Sequence, residues 1–245
     1  MNLDILIKRL LKRSENEGKQ KLIEKEFTYK ENSKALFVVF PHWHETMAEI
    51  LQLKNLILKE NYSFLNYKFT SKVLSADFKL TKKRFKKIKK IIIKDLKKLE
   101  REYNFNKINF IGISLGRITP LMIANTSFKK LEKIILVAPG NCLAEALWNG
   151  ILTQDIRKEF EKNKVNLEKL KKYWKKIDPE NNLKNIDKKT KIIVYLSESD
   201  RIIPYACGLK LTEAIRKNNL DLTIKKNKLL GHYLTICRFL CFPEI

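Results

Sequence analysis

Glycine is scarce in this chain, at 7 of 245 residues, so two glycines at a short fixed spacing carry information. Histidine is scarcer still: only His42, His44 and His232 are available to any chemistry that needs an imidazole. The four cysteines, Cys142, Cys207, Cys237 and Cys241, form no C-x-x-C pair. Cys237 and Cys241 stand four apart, as on one helix face, and reduced, mostly buried thiols are expected. Long apolar runs are missing too. The longest are Ala35 to Pro41 and Ile134 to Ala138, too short to span a bilayer. At the N-terminus Asp4, Lys8, Arg9 and Lys12 interrupt the apolar positions, which suggests an amphipathic helix rather than a signal peptide. A cytoplasmic location is the expectation. There is no internal repeat or low-complexity linker, and 44% hydrophobic residues suffice for one sizeable core with a modest insertion.

Acidic residues are outnumbered, 27 against 51 basic ones, and the net charge is +24. Such an excess can mark a nucleic-acid or anionic-membrane partner. Here the lysines are spread along the whole chain, which points to a global bias rather than a focused patch. The densest run, Lys82 to Arg101, places Phe85, Ile88, Ile92, Leu96, Leu99 and Tyr103 three or four apart. That spacing is one apolar stripe on a helix whose other faces are solvated lysine. The aromatic-rich basic motifs of RNA-binding folds are absent, so no nucleic-acid partner is expected. Peripheral contact with an anionic membrane stays open as an addition to another activity.

Short β-branched runs alternate with helical patterns. Strands are expected at Ala35 to Phe40, Ser63 to Phe69, Lys107 to Gly112, Lys133 to Ala138, Lys191 to Leu196 and Leu222 to Lys226. A further short one is expected at Lys25 to Tyr29. Helices are expected near Glu45 to Lys59, Lys82 to Tyr103, Leu115 to Asn125 and Cys207 to Asn218. This alternation argues for an α/β fold with a mostly parallel sheet flanked by helices. Asn141 to Ile186 breaks the rhythm. It is helical throughout and about twice as long as a crossover helix requires, so it reads as an inserted helical cap.

The strand KINFIG runs into Gly112-Ile113-Ser114-Leu115-Gly116 and then into a helical pattern. This is the G-x-S-x-G nucleophile elbow in its required setting of strand, sharp turn and helix. With 7 glycines and 9 serines, a shuffled chain would contain it only about 0.7% of the time. A serine hydroxyl needs a base at neutral pH, and a histidine needs an orienting acid. His232 follows the last expected strand. Asp200 and Glu198 share the polar turn after the strand Lys191 to Leu196.

On these residues the chain resembles the α/β-hydrolase family, in particular its smaller, lidded esterase and lipase-like members. The resemblance covers Ala35 to Leu240. It implies an eight-stranded, mostly parallel sheet, a helical lid, no cofactor and a small-molecule acyl substrate. The core would be residues 35–140 and 187–245, the cap 141–186, with an N-terminal helix and short strand in 1–34. It implies Ser114 as nucleophile, Asp200 as acid and His232 as base, in the chain order of the fold. Asp200 is preferred over Glu198 because strand, short turn, Asp, two apolar residues and Pro204 is the usual setting of the acid. The oxyanion hole would take the backbone N–H groups of Leu115 and of Trp43, in the segment Pro41-His42-Trp43. His42 stands where the family has glycine, and Arg117 where it has a small residue, so both bear on substrate shape.

In the cap, Leu143, Leu147 and Ile151 recur every four residues with Trp148 adjoining. That face either packs on the core or lines an acyl pocket in which Trp148 binds substrate. Two rival readings are a His42-x-His44 metal-dependent hydrolase and a catalytically silent binding module on the same fold.

Overall fold

The computed structural model describes residues 22–33, 35–42, 46–150 and 153–243. The expected N-terminal helix lies outside the described residues, as do Trp43, His44, Glu45 and Ile151. Among the described residues, seven strands form one sheet: β1 (Ile23–Thr28), β2 (Ala35–Phe40), β3 (Ser63–Phe69), β4 (Lys107–Ile113), β5 (Leu131–Val137), β6 (Lys191–Ser197) and β7 (Leu222–Asn227). Their order is β1-β3-β2-β4-β5-β6-β7. β1 runs antiparallel to β3, and every other neighbouring pair is parallel. The resemblance implies eight strands; an eighth is not found among the described residues.

The helices are α1 (Met47–Lys59), α2 (Phe78–Tyr103), α3 (Ile118–Ala124), α4 (Leu143–Asn149), α5 (Gln154–Lys162), α6 (Leu167–Trp174), α7 (Tyr205–Lys217) and α8 (Gly231–Cys241). α1 opens on a capping box in which Thr46 and Glu49 satisfy each other's backbone amides. α2 begins four residues before the expected Lys82 because Asp77 caps it, accepting from the amides of Lys79 and Leu80. It ends at Asn104, which takes the left-handed conformation. The stripe Phe85, Ile88, Ile92, Leu96 and Leu99 is buried, as its spacing requires.

Alternation along the strands sorts side chains into two cores. Leu36, Val38, Phe40 and Phe110 pack with α2, α3, α7 and the helices of residues 141–186. Phe37, Val39, Ile111, Ile135 and Val137 pack on the other face with Ile50, Leu53 and Ile57 of α1 and with Ile236, Phe239 and Leu240 of α8. Both faces of the central strands are covered, so β2 is buried at every position and reads as a continuous apolar run. In α8, positions 232, 235, 236, 239 and 240 turn inward, which leaves Cys237 and Cys241 exposed. Only Cys142 and Cys207 are the buried thiols expected. No described helix is long and apolar enough to cross a membrane.

Candidate active site

The parallel order puts the carboxyl ends of β4, β6 and β7 on the same side of the sheet. β4 ends in a sharp turn at Ser114, whose φ is +50°, a left-handed value that a non-glycine residue adopts at a cost. The next residues form a 3₁₀ turn, Ser114–Arg117, before α3. A Cβ on Gly116 would lie 1.9 Å from the Phe40 carbonyl oxygen. One on Gly112 would lie 2.9 Å from Arg117 Cα and from Pro120 Cγ. Both places exclude a side chain, so two of the 7 glycines are spent where the elbow needs them.

Asp200 lies in the turn after β6. Its Oδ1 accepts from the amides of Ile202, at 2.9 Å, and Ile203, at 3.0 Å. Its Oδ2 stands 2.7 Å from His232 Nδ1, and His232 Nε2 stands 3.0 Å from Ser114 Oγ. With the proton on Nδ1, the imidazole donates to Asp200 and leaves Nε2 to accept from the serine hydroxyl. All three residues are buried. Glu198, the alternative acid, is exposed, and the carboxylate on His232 Nδ1 is that of Asp200.

The histidine is held by contacts that the sequence does not announce. Gly231 takes a φ of +62°, which turns the chain into α8 directly before His232. Its amide donates to Ser199 Oγ at 2.9 Å, tying the histidine's loop to the turn that carries Asp200. Asn227 donates to the Leu196 carbonyl and to Thr235 Oγ1, and accepts from the Leu230 amide. The glycine before the histidine is the local sequence signal of this turn.

Leu115 follows Ser114 in the 3₁₀ turn and is buried. Trp43, the second expected oxyanion donor, lies outside the described residues. His42 is buried, with Nε2 3.4 Å from Glu49 Oε2 and its ring edge-on to Tyr233. Among the described residues no three His, Cys, Asp or Glu side chains gather as metal ligands. Arg117, expected to bear on substrate shape, turns into the protein instead. It donates to the carbonyls of Gly140 and Ser114, both at 2.7 Å. Burial lowers its pKa to about 10, opposed in part by Cys207, Cys142, Asp178 and Asp200, so the guanidinium is charged at neutral pH. Trp148, on α4, is half-buried against the main core with Arg157 over its ring, 5.1 Å from the centroid. Leu143 and Leu147 of the same helix belong to that core, while Ala146 packs on Ile203 and Cys207 beside the Asp200 turn.

No protein-family model matches the sequence, and no curated protein is found similar to it. Solved structures are similar. An esterase of Pyrococcus furiosus superposes with a TM-score of 0.59 at 16% identity, over 91% of this chain and 85% of that one. A monoacylglycerol lipase of Paleococcus ferrophilus gives 0.57 at 15% identity, over 86% and 90%. A Bacillus cereus carboxylesterase gives 0.55 at 15% identity, over 86% and 87%. With its mostly parallel sheet, the helices on both faces and this superposition, the chain has the α/β-hydrolase fold.

Proposed function

We propose that the protein is a serine hydrolase that cleaves carboxylic esters of small acyl substrates through an acyl-enzyme on Ser114. The observation that carries this reading is the continuous chain from Ser114 Oγ to His232 to Asp200, at 3.0 and 2.7 Å, built on a strained elbow. Ser114 Oγ attacks the acyl carbon as its proton passes to His232 Nε2. Asp200 holds the tautomer and balances the imidazolium charge. The backbone N–H groups of Leu115 and Trp43 receive the oxyanion. When the C–O bond breaks, the alcohol leaves with the proton from His232. Water then attacks the acyl carbon, gives a proton to His232, and releases the acid as Ser114 Oγ regains its proton.

Ester substrates are favoured by the names of the similar structures, an esterase, a monoacylglycerol lipase and a carboxylesterase. Tyr233, exposed and with its ring 5.6 Å from that of His232, provides apolar surface next to the base, which suits an acyl group. Residues 141–186 would act as the cap, and Trp148 is the proposed acyl contact because α4 packs beside the acid turn. The test is hydrolysis of p-nitrophenyl esters of graded chain length by the purified protein. A burst of p-nitrophenol stoichiometric with enzyme, absent in Ser114→Ala, supports the acyl-enzyme. Equal hydrolysis by that variant would remove Ser114 from the mechanism.

A further inference from the structure

Arg117 is buried behind the nucleophile with its guanidinium on the Ser114 carbonyl, and the triad does not use it. It is 1% exposed, and its Nη2 has no hydrogen-bond partner among the described residues. A buried cation with an unpaired donor is expensive, so a residue that only filled space here would be better apolar. Its two made bonds are specific. Nη1 donates to the carbonyl of Ser114, and Nε donates to the carbonyl of Gly140 in the loop after β5. Ser114 C=O and Leu115 N–H are the two ends of one peptide unit. Electron density drawn to the carbonyl oxygen by a charged donor leaves the N–H at the other end a stronger donor.

We propose that Arg117 is a positioning residue for the oxyanion site: through the Ser114–Leu115 peptide, its guanidinium orients and strengthens the Leu115 N–H. The bond to Gly140 fixes the guanidinium plane so that Nη1 meets the Ser114 carbonyl. Lysine could not hold both carbonyls in this way, because its ammonium lacks the rigid fork. The proposal rests on the serine mechanism above. It places the effect in the step where negative charge develops, not in ground-state binding.

An alkyl fluorophosphonate probe reads that step without knowledge of the natural substrate. Ser114 Oγ bonds to phosphorus, fluoride leaves, the hydroxyl proton passes to His232, and the phosphoryl oxygen takes the oxyanion's place. The maximum labelling rate and the half-saturating probe concentration are measured for wild type, Arg117→Met, Arg117→Lys and Ser114→Ala, with melting temperatures alongside. Removal of a whole oxyanion donor costs about 10²–10³ in rate, so weakening one should lower the maximum rate of Arg117→Met about tenfold. The half-saturating concentration should stay within about twofold, and Arg117→Lys should fall between the two. If Arg117→Met does not fold, the lysine variant carries the test, with an expected loss of about threefold. A folded variant that labels at the wild-type maximum rate overturns the proposal. So does a loss that appears only in the half-saturating concentration. Unlabelled Ser114→Ala beside labelled wild type keeps the serine mechanism intact whatever Arg117 does. Labelling of Ser114→Ala, or none of wild type, overturns both.

Discussion

Asp200, in the turn after β6, and Asp178, at the end of the helical segment between β5 and β6, are both buried carboxylates that interact with Arg117. Their surroundings differ. Asp200 gives one oxygen to two backbone amides and the other to His232. Asp178 accepts from one amide, that of Leu143, and from the thiol of Cys142. Burial pushes its carboxyl up to about 7, with Glu180 adding to the rise and the Leu143 amide, Cys142 and Arg117 opposing it. Burial alone therefore does not bring a carboxyl to the histidine. The two differ in their donors: two amides and an imidazole for Asp200, one amide and a thiol for Asp178.

Exchange of each carboxylate sharpens the contrast. Asp200→Asn should lower turnover by about 10³–10⁴, because the imidazole loses the partner that fixes its tautomer. Asp178→Asn should change turnover by no more than about threefold at pH 7, since Asn can still accept from the Leu143 amide. p-Nitrophenyl ester kinetics on both variants check this, and similar losses would break the comparison. Asp178 should show instead in stability. Its folded value of about 7 lies above its ordinary 3.8. Between about pH 4 and pH 7 the unfolded chain ionises this group while the folded chain keeps its proton, so its contribution to stability falls as pH rises through that window and levels off above it. The total is about 4 kcal/mol as an upper bound. Thermal melts from pH 4 to 8 should show Asp178→Asn gaining on wild type with rising pH.

Smaller effects follow from Trp148 and Glu198. Trp148→Ala should keep the melting temperature near wild type and weaken kcat/KM for medium-chain esters several-fold, about 3- to 10-fold, if the ring lines the acyl path. A stability loss of about 3–5 kcal/mol with unchanged chain-length preference would make it scaffold. The side chain of Glu198, exposed one turn from Asp200, should tolerate change to Gln with turnover within about twofold.

Most of the fold was legible because the central strands are covered on both faces and so read as apolar runs. β2 and β3 match their expected bounds residue for residue, and β4, β6 and β7 each extend one residue further. The first turn of α2 was missed because its signal is the cap at Asp77, upstream of the stripe. At the site, Ser114, Asp200 and His232 were readable from strand–turn context and from the scarcity of glycine and histidine. Arg117 was readable only as an oddity. Its inward turn depends on a carbonyl 23 residues away at Gly140. Asp178, Ser199 and Asn227 act through contacts between loops distant in sequence, and no local pattern marks them.

The most direct measurement is mass-spectrometric mapping of the fluorophosphonate adduct on the purified protein. The account predicts one adduct per chain, on the peptide containing Ser114, lost in Ser114→Ala and strongly slowed in Asp200→Asn. An adduct on any other residue, or none on the folded wild-type chain, would contradict it.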